Sequence, residues 1–199
     1  MITLLDKNNK LDENKNTLTI TYSRKVSIVF GHYPYPDKVN NFIIEIKNNL
    51  QKELKNYTNV KGGMTDWNHF VHDKDFNEFL TFLINKNQMV HPDIFQYFLE
   101  KHFVSNAWGN EIKKGDSVSL HSHSTIHGIL YLTEGCDLIL PELNMKITPK
   151  SGDYYLFPPE ILHGFSENQE DNKRYSLIFN ISKKDERFDF YKRYEGKNS

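Results

Sequence analysis

The stretch VSLHSHSTIHGILY, from Val118 to Tyr131, carries two histidines two residues apart, His121 and His123, in a segment with the composition of a β-strand. Side chains at positions i and i+2 of a strand point to the same face, so both imidazoles can reach one ion. A third imidazole follows at His163, within the segment PPEILHGF. Three neutral imidazoles suit several divalent metals, among them Fe(II), Zn, Cu, Ni and Mn, without selecting one. The stretch therefore predicts a metal site in a β-rich fold.

A fixed positive charge follows the third histidine along the chain. Arg174 opens the apolar strand RYSLIFNI, which has no acidic residue near it on the strand. An arginine inside a small barrel keeps its charge, and burying that charge without an anion is costly. A ligand carboxylate is a natural partner, and the hydroxyl groups of Ser176 and Tyr131 are placed to add hydrogen bonds. The alternative is that Arg174 faces solvent as an ordinary charge at a sheet edge.

The second half of the chain reads as short strands separated by polar turns such as KKGD, EGCD and KSGD. Eight strands at this spacing are typical of an antiparallel jelly roll or barrel. We predict these strands at 104–113, 117–123, 128–133, 137–141, 145–148, 153–158, 161–165 and 174–181.

The first half of the chain reads as strands followed by helices. Alternation over Leu18–Phe30 predicts one or two strands, and MTDW predicts a short one. A 3.6-residue apolar period from Val39 to Leu54 predicts an amphipathic helix with Asp37 as its N-cap. Further helices are predicted around 76–83 and, after a proline, around 94–98. The predicted division is an N-terminal region (1–103) packed on a core (104–184), with a tail (185–199), in one structural domain.

Composition excludes several classes of protein. A chain of 199 residues can bury the core of one domain. The net charge of −1 and the sequence pI near 6.8 provide no basic field, which disfavours nucleic acid as a partner. The single Cys136 excludes an intramolecular disulfide, and neither an apolar signal segment nor a membrane span is evident. We expect a soluble cytoplasmic protein, and the sequence does not indicate its oligomeric state.

Six motifs occur in an order that is typical of one family: W-x-N, H-x-H, G-x-x-Y-L, G-D-x-x-x-F-P, L-H and R-x-S-x-x-F-N. The residues that carry them are Trp108 and Asn110, His121 and His123, Gly128, Tyr131 and Leu132, Gly152, Asp153, Phe157 and Pro158, Leu162 and His163, and Arg174, Ser176, Phe179 and Asn180. This order resembles the 2-oxoglutarate/iron(II)-dependent oxygenases common in bacteria and their phages. The resemblance spans residues 62 to 182.

The resemblance implies a fold and a ligand set. The fold is a β-rich α+β double-stranded β-helix, or jelly roll, with supporting N-terminal helices. His121, His123 and His163 would bind Fe(II). Arg174 would pair with the far carboxylate of the co-substrate 2-oxoglutarate, helped by Tyr131 and Ser176. One departure is that most of the wider superfamily has H-x-D or H-x-E where this chain has H-x-H, although the closer subfamily also has H-x-H.

Three further residues are candidates for the rim of the pocket. Asn110 and Trp108 lie on the strand that enters the barrel, where packing and turn support are equally good explanations for them. His127 follows the turn after the histidine pair, and we predict it at the mouth of the barrel, where it would touch substrate or co-substrate.

The resemblance implies a dioxygenase that hydroxylates a peptidyl substrate, such as a prolyl residue, or a small molecule. It would couple this oxidation to the decarboxylation of 2-oxoglutarate to succinate, and a phage gene expressed in a bacterial host fits the resemblance. A cupin-type metal-dependent dioxygenase or isomerase is the main alternative, because Gly115, His121 and His123 fit G-x5-H-x-H. In the same way Gly152 and His163 fit its second motif, G-x5-P-x4-H. A non-enzymatic jelly-roll binding protein is a third reading.

Overall fold

Two antiparallel sheets enclose the interior of the molecule in a computed structural model, which describes residues 10–12, 17–19, 28–51, 59–87, 102–159 and 161–183. The larger sheet has six strands in the order β3-β10-β7-β12-β5-β4, and the smaller has four in the order β6-β11-β8-β9. The larger sheet comprises β3 (Val29–His32), β4 (Gly63–Met64), β5 (His102–Ile112), β7 (Ile126–Tyr131), β10 (Asp153–Phe157) and β12 (Arg174–Lys183). The smaller comprises β6 (Val118–His121), β8 (Leu138–Leu140), β9 (Met145–Ile147) and β11 (His163–Phe165).

The chain passes repeatedly between the two sheets, and this interleaving defines a double-stranded β-helix. β5, β7, β10 and β12 lie in the larger sheet, while the strands between them lie in the smaller one. The predicted jelly roll is therefore confirmed, with its eight strands in the expected order. β3 and β4, from the N-terminal half, extend the larger sheet at its two edges. Within the described residues, β1 (Lys10–Asp12) and β2 (Thr17–Thr19) form a separate pair.

Two helices cover the outer face of the larger sheet, as an amphipathic pattern requires. α1 (Pro36–Asn48) and α2 (Lys74–Asn87) bury apolar side chains against outward-facing residues of β7, β10 and β12. Alternation along β12 separates the two faces, because Leu177 and Phe179 point to the helices while Ile178 points into the barrel. The apolar core is thus split into an outer layer and an inner layer by one sheet.

Several local predictions need correction. Asp37 does not cap α1, because the helix begins at Pro36, whose fixed φ suits the first helical position, and no side chain caps it. The helix ends at Asn48, so the apolar period overestimates its length. The predicted strand 117–123 stops at His121, which leaves His123 in the following loop. The predicted helix around 94–98 lies outside the described residues. No helix within the described ranges is long and apolar enough to cross a membrane.

Candidate metal and anion site

His121, His123 and His163 converge at one end of the barrel. One ring nitrogen from each lies within 4.8 Å of the others, and their ring centroids are 4.6 to 5.3 Å apart. His121 and His163 are direct cross-strand partners in the β6–β11 pair, which is why residues far apart in sequence meet. His123 joins them from the loop after β6, although it is not on a regular strand. The structure therefore brings together the three predicted ligands.

Backbone carbonyls hold two of these rings in one orientation. The Nδ1 of His121 lies 2.8 Å from the carbonyl oxygen of Ser119, and the Nδ1 of His163 lies 2.8 Å from that of Ile161. A carbonyl can only accept, so each Nδ1 carries the proton and donates it. This leaves Nε2 of both rings as an unprotonated lone-pair donor, which is how metal-binding histidines are commonly oriented.

Burial keeps the three imidazoles neutral. Burial lowers the pKa of His123 to about 3, with the neighbouring His121 and His163 lowering it further. Burial also lowers the pKa of His163 to about 4, and it lowers the pKa of His121. Neutral imidazole is the form that coordinates a metal, so these rings are ready to bind one at neutral pH.

His127 is a fourth histidine in the cluster. The prediction that it lies at the mouth of the barrel is wrong in position: it is 3% exposed and lies inside β7. Its ring stacks on that of His123, with centroids 3.9 Å apart and planes inclined by 8°. The predicted strand began two residues too late, at 128 rather than Ile126, because the turn ends earlier than its polar residues indicate.

The inner face of the larger sheet connects the histidines to Arg174. Cross-strand pairs place Asn180 beside His127, and Ser176 beside Tyr131, four residues further along β7. At about 3.3 Å per residue this places Tyr131 roughly 13 Å along the strand from His127. Arg174 lies two residues beyond Ser176 on the same face of β12. The histidine end and the arginine end therefore belong to one interior.

Arg174 is buried with no carboxylate partner among the described residues. It is 2% exposed, and its three guanidinium nitrogens have no hydrogen-bond partner in that part of the chain. Its charge lies between two aromatic rings, 4.7 Å from the centroid of Tyr131 and 4.5 Å from that of Phe165. Cation–π contacts of about 2 kcal/mol each offset only part of the cost of burying a charge. Arg174 does not face solvent, so the alternative of an edge charge is wrong.

The other predicted residues lie in the same interior rather than at a rim: Ser176 and Asn110 are near Arg174, and the ring of Trp108 is 6.4 Å from that of His127. Ser176 is 3% exposed and pairs across the sheet with Tyr131 on one side and Asn110 on the other. Asn110 and Trp108 are 3% and 4% exposed, so the prediction that they form a rim is wrong in position. The long β5 continues past both residues and places them inside the barrel. Burial raises the pKa of the Tyr131 phenol, while Arg174 acts in the opposite direction.

Unpaired buried polar atoms mark this interior. Within the described residues, every buried side-chain nitrogen or oxygen that lacks a hydrogen-bond partner belongs to a residue of this one interior. These atoms are Trp108 Nε1, Asn110 Oδ1, His123 Nε2, Tyr131 Oη, His163 Nε2, and Arg174 Nε, Nη1 and Nη2. Each unsatisfied buried group costs about 1–3 kcal/mol, and more if charged. A protein bears this cost where a ligand supplies the missing partners.

The donor set fits a divalent metal and an organic dianion. Three imidazole nitrogens, two of them buried and unpaired, provide the ligands for a metal such as Fe(II). The guanidinium of Arg174, the phenol of Tyr131 and the hydroxyl of Ser176 provide donors for a carboxylate at the other end of the interior. A ligand with two acidic ends would satisfy both groups.

Sequence reasoning missed three residues that support the site. Phe165 contacts the guanidinium of Arg174, Phe157 stacks on His163 at 5.2 Å and 12°, and Asn180 contacts His127. Strand parity was an available signal, because Phe165 lies two residues after His163 on β11. Asn180 likewise lies on the Arg174 and Ser176 face of β12.

Comparison with known proteins relates the fold to one group. No protein-family model matches this sequence, and no curated protein is significantly similar to it. Solved structures do match, among them the viral collagen prolyl hydroxylase of Paramecium bursaria Chlorella virus-1 with 2-oxoglutarate, with a TM-score of 0.56 and 13% identity over 79% of this chain and 96% of that one. A Pseudomonas putida prolyl-4-hydroxylase matches with a TM-score of 0.56 and 13% identity, over 77% and 91%. HygX from Streptomyces hygroscopicus, with nickel and 2-oxoglutarate bound, matches with a TM-score of 0.56 and 11% identity, over 79% and 83%.

Two of these neighbours are named as prolyl hydroxylases, two are described with 2-oxoglutarate bound, and this chain shares their fold. At such low identity the likeness defines the fold and does not choose a substrate.

Proposed function

We propose that this protein is a 2-oxoglutarate- and Fe(II)-dependent dioxygenase that hydroxylates its substrate and converts 2-oxoglutarate to succinate and CO2. The observation that carries the proposal is Arg174, a buried cation with no anionic partner among the described residues, in the same interior as three histidines whose ligand nitrogens lie within 4.8 Å of one another. Neither group alone indicates this function. Together they match a ligand that has a carboxylate at one end and a metal-binding keto acid at the other.

Each residue has a separate task in this proposal. His121, His123 and His163 would hold the iron through Nε2, with Ser119 and Ile161 fixing two of the rings through their carbonyls. The iron supplies the oxidising chemistry when it is bound.

Arg174 would orient the co-substrate by pairing with its far carboxylate. Tyr131 and Ser176 would donate hydrogen bonds to that carboxylate, and Phe165 would exclude water from one side of the guanidinium. A dry pocket strengthens this charge pair, because a low dielectric screens it less.

The three-histidine set has a consequence for metal choice. A carboxylate ligand would offset one positive charge of the metal, and the H-x-H motif removes it. The bound anion would then carry all of the charge compensation, which favours dianionic 2-oxoglutarate. Neutral imidazoles also let Zn, Ni and Cu compete with iron.

The substrate we propose is a peptidyl group, with a prolyl residue as the first to test, or a small molecule. Two structural neighbours are named as prolyl hydroxylases, while HygX is described with hygromycin B bound, so the fold accommodates both kinds. We place the protein in the cytoplasm, and a phage-encoded form in a bacterial host remains part of this proposal.

A cupin is disfavoured by the arginine end of the barrel. A cupin metal site gives no reason for a buried, unpaired Arg174 between two aromatic rings. A binding protein without catalysis remains a distinct outcome of the experiment, because it would bind ligand without producing succinate.

The test is calorimetry of 2-oxoglutarate binding to the Mn(II)-loaded protein, which binds without turnover. Arg174→Met should weaken binding by about 2–5 kcal/mol, the usual cost of removing one partner of a buried charge pair. Metal affinity should stay within a few-fold, since Arg174 does not touch the histidines. Succinate production by the Fe(II) protein should fall in parallel.

Lys173→Met is the matched control. It removes one positive charge from the adjacent residue, which is half-exposed and pairs with Glu111 on the other face. Its 2-oxoglutarate affinity should equal that of the wild type. Equal affinities in all three proteins would refute the role of Arg174, and binding without succinate formation would favour a non-enzymatic protein.

A further inference from the structure

The three proposed metal-binding rings are not held in the same way, and His123 is the exception. His121 and His163 each donate Nδ1–H to a backbone carbonyl two residues earlier. His123 makes no hydrogen bond through either ring nitrogen within the described residues, and its Nε2 is buried without a partner. It also lies in a loop rather than on a strand. The described residues therefore provide no hydrogen bond that would orient this ring.

The ring of His127 provides the only parallel stack on His123 at van der Waals distance in the described part of the chain. The two centroids are 3.9 Å apart and the planes differ by 8°. His163 is also nearly parallel to His123, but its centroid is 5.3 Å away. Offset or stacked aromatic pairs contribute about 0.5–1.5 kcal/mol beyond their buried area, enough to favour one ring plane over another.

His127 can serve as a platform because its own ring is fixed. It lies in the centre of the sheet at 3% exposure, and its Nδ1 is 2.9 Å from Oδ1 of Asn180, its cross-strand partner on β12. The amide oxygen accepts, so Nδ1 of His127 carries the proton. Its ring also lies near those of Phe157, at 6.4 Å and 23°, and His163, at 4.7 Å and 28°. Two strands of the large sheet therefore hold the plane of His127.

We propose that His127 and Asn180 form a positioning pair that orients the loop residue His123, so that its Nε2 faces those of His121 and His163. The stack does for His123 what a backbone carbonyl does for the other two rings. The inference rests on the metal site of the proposed function, and it assigns His127 no contact with the ion.

The geometry argues against His127 as a fourth ligand. Its ring centroid is close to those of His123 and His163 but 6.4 Å from that of His121, whereas the three proposed ligand rings are all within 5.3 Å of one another. The nitrogens that lie within 4.8 Å of one another come from His121, His123 and His163. A flat ring is what the stack requires, so another aromatic ring should replace that of His127.

The experiment measures Co(II) and Ni(II) affinity by competition with a chromogenic chelator, together with the Co(II) absorption spectrum. His127→Phe keeps a flat ring but has no nitrogen, and His127→Leu has neither. We expect His127→Phe to retain the wild-type affinity within about threefold and an unchanged Co(II) spectrum. We expect His127→Leu to lose about 10- to 100-fold, the range found when groups that orient metal ligands are removed.

Each other outcome has a definite meaning. An equal loss in both variants would overturn the proposal, because it would show that a flat ring at position 127 does not orient His123. Unchanged affinity in His127→Leu, with only a lower melting temperature of the metal-free protein, would reduce the residue to a packing role. If His127→Leu does not fold, Asn180→Leu supplies the second variant. We expect it to bind metal more weakly than the wild type, and wild-type affinity would contradict the pair. If the wild type binds neither metal, the proposed function is refuted as well. If the wild type and both His127 variants bind metal with equal affinities, only the positioning role is refuted.

Discussion

The two faces of the six-stranded sheet treat buried polar groups in opposite ways. On the outer face, Glu111 is 2% exposed and accepts hydrogen bonds from Tyr175 and Lys173. Asn87 in α2 likewise reaches the hydroxyl group of Tyr154. On the inner face, Arg174 is equally buried and has no such partner among the described residues. The same strands therefore carry paired polar groups on one side and several unpaired ones on the other among the described residues.

The presence or absence of a hydrogen-bond partner distinguishes a structural buried polar residue from a candidate functional one. A buried polar atom with a partner lowers the free energy of the folded chain, whereas one without a partner raises it until a ligand binds. Burial alone does not distinguish the two. Substitutions on the two faces should consequently affect different measurements.

The largest expected effect is on the outer face. Phe179 packs its ring against Phe76 and Phe79 in α2, and it lies directly over Gly128. Phe179→Ala should lower the free energy of unfolding by about 3–5 kcal/mol through lost burial and a cavity. Urea unfolding of the metal-free protein measures this. If the variant folds, its 2-oxoglutarate affinity should match the wild type, and a comparable loss of affinity would show that the two faces are not independent.

The two faces can be compared directly by removing one tyrosine hydroxyl group from each. Tyr131→Phe removes an unpaired inner hydroxyl, and it should weaken 2-oxoglutarate binding by about 1.5–3 kcal/mol without lowering the stability of the ligand-free protein. Tyr175→Phe removes the outer hydroxyl that donates to Glu111 at 2.6 Å, and it should lower stability by a similar amount without changing affinity. Calorimetry and urea unfolding on both variants test the pair. A stability loss in Tyr131→Phe with unchanged affinity would identify Tyr131 as a core residue instead.

The smallest effect is a dependence of stability on pH. Burial lowers the pKa of His163 to about 4 and that of His127 well below its ordinary value. Below about pH 6.5 the unfolded chain binds protons that the folded one does not. The contribution to stability is therefore complete above that pH and is lost as the pH falls, at about 1.4 kcal/mol per pH unit for each buried histidine.

Glu111 on the outer face contributes to the pH dependence in a different pH range from the inner histidines, so the two contributions can be distinguished. Burial raises the pKa of Glu111, but hydrogen bonds from Tyr175 and Lys173 outweigh it and leave the pKa below its usual value. A carboxyl group of this kind loses its contribution only when the pH falls below about 4.3. Urea unfolding of the metal-free protein between pH 7.5 and 5 should thus report the inner face alone. His163→Asn should flatten that slope, and an unchanged slope would contradict the assignment.

Strand alternation made much of the site accessible from sequence. Side chains two apart on one strand share a face, which is why Arg174 and Ser176 were expected together and lie together. The spacing of turns likewise predicted the eight strands of the barrel. The same reasoning failed for His127, because an error of two residues in where β7 begins changes an apparent rim position into a buried one.

The amino-acid sequence alone indicated most strands and helices of this protein and the chemistry of its candidate residues: three imidazoles, a guanidinium and the hydroxyl groups near it. Those properties belong to residue types and to their spacing along single strands. Three features came from the folded chain: His121 lies opposite His163, Arg174 is buried with no anionic partner among the described residues, and His127 stacks on His123. Each of these depends on the register between strands distant in sequence, which side-chain periodicity within one strand does not specify.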